Sequence, residues 1–352
     1  MKVLVSALEP SSNLHLKELL HYSQDVELVG IFSKELGTPL YDVSDMAIMG
    51  FVDAFKKYRW FKSVAHEMVH LAKDVDRVLL MDSSGFNLPL AKKLKEVYPN
   101  KEIIYYILPQ VWASRKYRIK QLEHYCDKLF GILPFEVELY SQKAQYVGHP
   151  LLDEIKLKKE SLSDNGVVAF MPGSRPSEIK RLFPIYKSLR KKLDNKEALL
   201  IIPSTFSQAK IDELYGDISG FSIQKETHQA LYDADFAFIC SGTATLEAAL
   251  IGTPFSLNYI AKPFDYFIAK HILKIEQIGL ANIILKHHNN TTLHRELIQD
   301  DVTIENLLDE YTNANRQAFL TKALELREYL GHGSSKYLGE YISIPLSTLA
   351  VQ

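Results

Sequence analysis

Cysteine is nearly absent: Cys126 and Cys240 are the two in 352 residues, and both sit in apolar surroundings. Two cysteines with no secretory signal exclude a disulfide framework and point to a reducing compartment. An excess of one charge is lacking too. The 41 Lys and Arg stand against 43 Asp and Glu, a net charge of −2, which removes any global case for nucleic-acid binding. No apolar run approaches the length of a membrane span. Residues 1–8 are too short and wrongly flanked for a signal peptide and read as a first strand. No G-x-G-x-x-G follows that strand, which counts against a dinucleotide enzyme. No Gly-Lys-Ser/Thr stands at P-loop spacing. The 12 histidines show no metal-ligand spacing, and His149 before Pro150 reads as structural. Serine-elbow and Cys–His nucleophile signatures are missing. What is left is a globular composition without low-complexity tracts, long enough for two domains.

The hydrophobic pattern alternates strands with helices. Strands are expected at 2–8, 26–32, 77–82, 103–108, 129–133 and 145–148. Helices are expected at 14–22, 46–74 (with a break), 86–97 and 111–127, with a helical turn at 135–141. This rhythm implies a parallel sheet covered on both faces, with ligands at the carboxyl ends of its strands. The charged stretch 154–164 reads as an inter-domain linker. A second α/β unit follows, with strands at 167–171, 198–202, 221–224, 236–240 and 255–258. Its helices fall at 182–193, 208–215 and 243–251, and a helical tail covers 303–329 and 335–341. The element order, without any sequence repeat, suggests an α/β protein of two Rossmann-like domains facing a cleft.

Two strand–loop–helix junctions of the second unit suit phosphate. Asp235–Cys240 runs into Ser241-Gly242-Thr243 and then into helix formers ending at Gly252-Thr253-Pro254. Ser241 and Thr243 suit an N-cap, and Gly242 allows close backbone approach. The helix start offers unpaired N–H groups and the positive end of the dipole. Glu247, one turn behind Thr243, is within reach of ribose hydroxyls. The alternative is an ordinary capped helix. The other junction is Pro172-Gly173-Ser174-Arg175 with Glu178-Ile179. Arg175 beside a helix start makes most sense with an anion, which a guanidinium grips through two oxygens. The alternative is a surface pair with Glu178.

Two further features stand in the first unit. Asp82 ends a strand, where it can serve as general base on a sugar hydroxyl or cap the following helix. Phe51, Phe55, Tyr58, Trp60 and Phe61 are interleaved with Lys56, Lys57, Arg59 and Lys62. Such a helix reads either as a membrane-docking surface or as a helix packed on two sides with solvated lysines.

Together these residues resemble the lipid-A-disaccharide synthase family, GT-B fold glycosyltransferases of Gram-negative bacteria. Met49-Gly50-Phe51, Asp82 with Phe86-Asn87, and Tyr105–Ala113, which holds Pro109-Gln110-Val111-Trp112, are similar to its ordered motifs. So are Leu133-Pro134-Phe135-Glu136, Val147–Pro150, Pro172–Ile179, Ser241–Glu247 and Glu296-Leu297 with Gln299. Leu8-Glu9-Pro10-Ser11-Ser12-Asn13 departs from the family's Gly-Glu-x-Ser-Gly-Asp, and Gly85 stands where a second aspartate is usual. The resemblance implies transfer from UDP-2,3-diacylglucosamine to 2,3-diacylglucosamine 1-phosphate (lipid X), without metal or cofactor. Asp82 would be the base. UDP would be held by Gly173, Ser174, Arg175, Glu178, Ser241, Gly242, Thr243, Thr245, Glu247 and Asn282. Glu9, Asn13, Asn87, Gln110, Trp112, Glu296 and Gln299 would contact or support the acceptor.

The expected domains are an acceptor and membrane-facing part at 1–155, with C-terminal helices of about 325–352 packing back on it, and a UDP-sugar domain at 165–325. The resemblance tips the aromatic–basic helix toward docking on the inner face of the cytoplasmic membrane, with surface lipids as partners, and leaves a homodimer open. Two other readings remain: another UDP-sugar GT-B enzyme (a lipid-linked N-acetylglucosaminyl transferase or an epimerase), or an idle homologue that binds UDP-sugar.

Overall fold

The structure, a computed structural model, describes residues 1–44, 54–162, 164–262 and 277–345, with backbone alone at 54–58. It divides into two units, Met1–Glu154 with Leu330–Gln352, and Ile155–Tyr329.

The first unit is a parallel sheet of β1 (Lys2–Ala7), β2 (Glu27–Ile31), β3 (Arg77–Met81), β4 (Glu102–Tyr106), β5 (Lys128–Gly131) and β6 (Ala144–Tyr146). The strands lie in the order β2-β1-β3-β4-β5-β6. Helices α1 (Pro10–Leu20), α2 (Ala54–Leu71), α3 (Ser84–Val97), α4 (Arg118–Tyr125), α5 (Pro134–Val137) and α6 (Pro150–Glu154) alternate with them. Successive strand side chains point to opposite faces, and both faces are apolar here. Leu4, Val78, Leu80, Ile103 and Tyr105 join one core with α2 and α3. Val3, Val5, Leu79, Met81 and Ile104 join the other with α1.

The second unit carries β7 (Val167–Met171), β8 (Glu197–Ile201), β9 (Ser222–Gln224), β10 (Phe236–Cys240), β11 (Phe255–Tyr259) and β12 (Glu296–Ile298), ordered β12-β11-β10-β7-β8-β9 and all parallel. This is the Rossmann order, with its reversal between β7 and β10. Its helices are α7 (Pro176–Arg190), α8 (Gln208–Tyr215), α9 (Thr227–Asp233), α10 (Thr243–Ile251), α11 (Leu280–Asn289), α12 (Ile304–Asn313) and α13 (Arg316–Leu330).

The chain then returns to the first unit as α14 (Ser334–Ser343). Its seat is polar at the centre. Arg77, fully buried on β3, donates to the carbonyls of Tyr341 and, at 2.7 Å, Ile344. Its Nε lies 3.3 Å from Glu102, which accepts from the Tyr341 hydroxyl at 2.7 Å. Gly339 lets α14 touch α1: a Cβ there would fall 2.3 Å from the Leu19 carbonyl oxygen.

Several expectations are corrected. The helix expected at 111–127 begins at Arg118, because the preceding chain is in turns and Ile107 and Arg115 take left-handed backbone angles (φ 63° and 59°). Helices α1 and α7 start earlier than expected, at Pro10 and Pro176, since a proline at the first helical position loses no hydrogen bond. Helices α9 and α11 and strand β12 were not expected. The stretch 154–164 is no free linker: Lys159 is buried, its amide donates to Ile251 at 2.7 Å and its ammonium to Ala234.

Candidate functional site

Each sheet has a switch point, where connections from neighbouring strands leave in opposite directions and ligands of such folds gather. In the first unit it lies between β1 and β3. Asp82 and Ser83 leave β3 in consecutive left-handed conformations, φ 49° and 38°. Non-glycine residues rarely adopt these, and such strain collects at functional sites.

The turn is held from behind by Asn87. Its amide nitrogen donates to Met81 O at 3.0 Å and Asp82 O at 2.9 Å, while its oxygen accepts the Ser6 hydroxyl at 2.6 Å. The Tyr105 hydroxyl also donates to Asp82 O. The backbone of Asp82 is therefore fixed from behind. Burial raises its pKa, against a backbone hydrogen bond from Ser83 and the charge of His15. The adjoining turn after β1 is fixed by Asn13, which donates to Ala7 O and Glu9 O, both at 2.9 Å, and accepts from Ser33 N at 2.6 Å. Glu9 is exposed and accepts the Ser83 hydroxyl at 3.4 Å. Gln110 is exposed in the loop after β4 and Trp112 half-buried, its ring edge-on to Phe135 at 5.7 Å.

Glu136 escaped the sequence reading. It is 1 % exposed, and neither oxygen makes a hydrogen bond of normal length. Burial pushes its pKa up to about 8, the Trp112 indole works against this, and the charge of Asp82 adds to it. A carboxyl in the Leu133–Glu136 motif, following a strand, was the available signal.

The expected docking helix is partly turned inward. Trp60 packs edge-on to Tyr41 at 5.4 Å and Phe61 at 5.1 Å, and Phe61 meets Phe86 at 5.5 Å. Both half-buried rings thus belong to the packed edge of the core, while Arg59 and Lys62 are exposed. Phe51 and the side chains of Phe55, Lys56, Lys57 and Tyr58 lie outside the described residues, as does Met49-Gly50.

In the second unit a cavity of about 540 Å³ opens at the switch point between β7 and β10, lined by Gly173, Ser174, Arg175, Ser241, Gly242 and Thr243 among others. Gly173 has φ 110°, and a Cβ there would fall 2.6 Å from Glu178 Oε2. Glu178 caps α7: its Oε2 accepts from the amides of Ser174 at 3.3 Å and Arg175 at 3.2 Å. Its other oxygen accepts Arg175 Nη1 at 2.7 Å. Arg175 is 74 % exposed, so the pair anchors the guanidinium at the cavity while leaving most of it accessible. The N-cap of α10 is Gly242, without a side-chain cap, so the first N–H groups of the helix are left for a ligand. Thr245 is buried and donates to Gly242 O at 2.7 Å, bracing that start. Glu247 faces His228 at 3.4 Å.

Asn282, Glu296 and Gln299 form a separate frame, not the wall of that cavity. Buried Asn282 donates to His294 O and Glu296 Oε1, both at 2.9 Å, and accepts from Leu293 N at 2.8 Å and His294 N at 3.2 Å. Glu296 accepts from Ile278 N at 2.8 Å and Gly279 N at 3.0 Å, and Gln299 from Ala261 N at 2.7 Å. These side chains spend their polar atoms on the backbone and, for Asn282 and Glu296, on each other.

A family model, "Lipid-A-disaccharide synthetase", matches residues 3–336. The chain is 50% identical to the lipid-A-disaccharide synthase of Helicobacter pylori, over 98% of this chain and 99% of that protein. It is 45% identical to the one of Campylobacter jejuni, over 97% and 98%.

The chain belongs to the lipid-A-disaccharide synthase family.

It is thereby a glycosyltransferase of lipid A biosynthesis. Solved structures show the same GT-B architecture of two Rossmann-like units. The calicheamicin glycosyltransferase matches with a TM-score of 0.62 at 11% identity, over 99% of both chains. The UDP-GlcNAc 2-epimerase of Neisseria meningitidis bound to UDP-GlcNAc matches with 0.60 at 13%, over 100% of both. In this lipid-A-disaccharide synthase family member the altered stretch Leu8–Asn13 still builds a fixed turn, because Asn13 makes three hydrogen bonds. Among the described residues no helix is long and apolar enough to cross a membrane, and no group of His, Cys, Asp or Glu could hold a metal ion.

Proposed function

We propose that the chain joins UDP-2,3-diacylglucosamine to the 6-hydroxyl of 2,3-diacylglucosamine 1-phosphate, giving the β-1,6-linked disaccharide 1-phosphate and UDP. The observation that carries this reading is that one family member holds both a carboxyl on a strained, braced turn in its first unit and a built anion seat in its second. The acceptor oxygen attacks C1 of the donor sugar as the bond from C1 to the UDP oxygen breaks, with inversion. Asp82 takes the acceptor proton, and its raised pKa makes it a better base than an ordinary aspartate. Charge developing on UDP meets Arg175 and the first N–H groups of α10, and fixed donors act most strongly where charge develops. Glu247 holds the ribose. Glu9, Gln110 and Trp112 face the acceptor, with Asn13 and Asn87 fixing the turns beneath it. Glu178, Thr245, Asn282, Glu296 and Gln299 support the donor side by holding backbone.

The first unit is the acceptor part and the second the UDP-sugar part. Exposed Arg59 and Lys62 on α2 favour a peripheral place on the inner face of the cytoplasmic membrane.

The test is UDP release from UDP-2,3-diacylglucosamine with the diacylated 1-phosphate in detergent micelles, for the native chain and Asp82→Asn. Acceptor-dependent release that is lost in the variant, with UDP affinity kept, is expected. Release surviving in the variant would remove Asp82 as base. No release by the native chain would remove the reaction.

A further inference from the structure

A second cavity, of about 590 Å³, lies at the switch point of the first unit, within the range of about 300–1,000 Å³ that holds a small ligand. Its wall is apolar, from Leu8 on the β1 turn, Phe61 and Ala65 on α2, and Phe86 and Pro89 on α3. Ser83, next to Asp82, also lines it. Two lysines complete the lining, Lys62 from α2 and Lys93 from α3.

Those lysines differ from their neighbours. On α3, Lys92 pairs with Glu96 at 3.9 Å and Lys95 with Asp127 at 2.7 Å. Lys93, half-buried between them, has no ion pair or hydrogen bond among the described residues, and neither has Lys62. The one carboxylate in the lining, Glu9, is engaged with Ser83. Lys62 is exposed and Lys93 half-buried at the cavity, and an anion seated there would give both a partner. A neutral lipid would need no lysines, and a water-soluble sugar phosphate would need no apolar wall. An amphiphile with an acyl chain and an anionic head fits both.

We propose that this cavity seats one acyl chain of the acceptor, with Lys62 and Lys93 binding its phosphate. Commitment to the acylated sugar phosphate, rather than to bulk phospholipid, rests on the proposed function and on Ser83, which ties the cavity to the Asp82 turn. Gly85 supplies a clean probe. It lines the cavity, and a Cβ built on it meets nothing within 4 Å. A side chain at Gly85 therefore starts in open space, and Gly85→Phe is the variant that puts bulk at the cavity wall.

The experiment measures equilibrium binding of radiolabelled 2,3-diacylglucosamine 1-phosphate to the full chain in detergent, which needs no turnover. Gly85→Phe and the double variant Lys62→Ser/Lys93→Ser should each weaken binding at least tenfold, with melting temperature and UDP affinity unchanged. The lysine variant should bind the ligand lacking its phosphate as the native chain does. Binding within twofold of native in both variants would overturn the proposal. Equal competition by phosphatidylglycerol would overturn it too, by showing a site for bulk anionic lipid. If the native chain binds the glycolipid in this way yet releases no UDP, the reaction falls and the pocket stands.

Discussion

The side-chain amide of Asn87 donates to the backbone carbonyl of Asp82 at 2.9 Å, so a residue on α3 holds the candidate base from behind. Asp82→Asn should lower kcat about 10²- to 10⁴-fold, the usual worth of a general base, with UDP affinity unchanged in calorimetry. Because burial raises the pKa of Asp82, the rate should fall on acidification from a pH above the ordinary aspartate range. Asn87→Ala leaves the Ser6 hydroxyl and two carbonyls short of a partner, and should cost roughly 1–3 kcal/mol in urea denaturation as well as lowering kcat.

Arg175 should matter to the ligand far more than to the fold. Arg175 is mostly exposed, and buried Glu178 keeps its bonds from the amides of Ser174 and Arg175 without it, so Arg175→Ala should cost no more than about 1 kcal/mol and shift the melting temperature little. A charge-assisted bond to phosphate is worth about 1.5–3 kcal/mol, so UDP affinity should fall about 10- to 100-fold. Unchanged affinity would reduce Arg175 to a surface partner of Glu178.

Glu136 makes stability depend on pH. Its folded pKa, pushed up to about 8, lies above the unfolded value, so between the two the folded chain holds a proton that the unfolded chain has lost. Its contribution is full at low pH and is lost as pH rises toward 8. Glu136→Gln keeps the shape without the charge. Its stability should match the native chain at pH about 4.5 and exceed it by roughly 3–6 kcal/mol near pH 8.5, at about 1.36 kcal/mol per pKa unit. Parallel pH profiles of the two chains would mean that water reaches the carboxyl.

Arg77 joins the returning helix to the first sheet. Arg77→Met should destabilise by about 3–5 kcal/mol, because Glu102 loses its buried counter-charge and two C-terminal carbonyls lose their donor. Adding Glu102→Gln should recover part of the loss. Limited proteolysis should cut the single variant first near residues 330–345. Equal protection of native and variant would mean that the apolar face of α14 suffices.

Local chemistry alone determined much of this protein. Alternating apolar strands and helices gave the α/β class. Glycine, hydroxyl and proline residues marked the turns before α7 and α10, and the apolar run at 236–240 marked a central strand. Such signals need only residues a few positions apart. The sheet order, and with it the switch points, came from tertiary structure, since parallel neighbours such as β7 and β10 are far apart in sequence. So did the division between residues that face a ligand and residues that hold the backbone. Asn87 meets Ser6 across 81 positions, Glu296 takes up Ile278 and Asn282, and Lys159 meets Ala234 across 75. A side chain's type shows which hydrogen bonds it can make. Its partners are set by packing between elements that the chain brings together only on folding, and Glu136 shows the same for burial and charge.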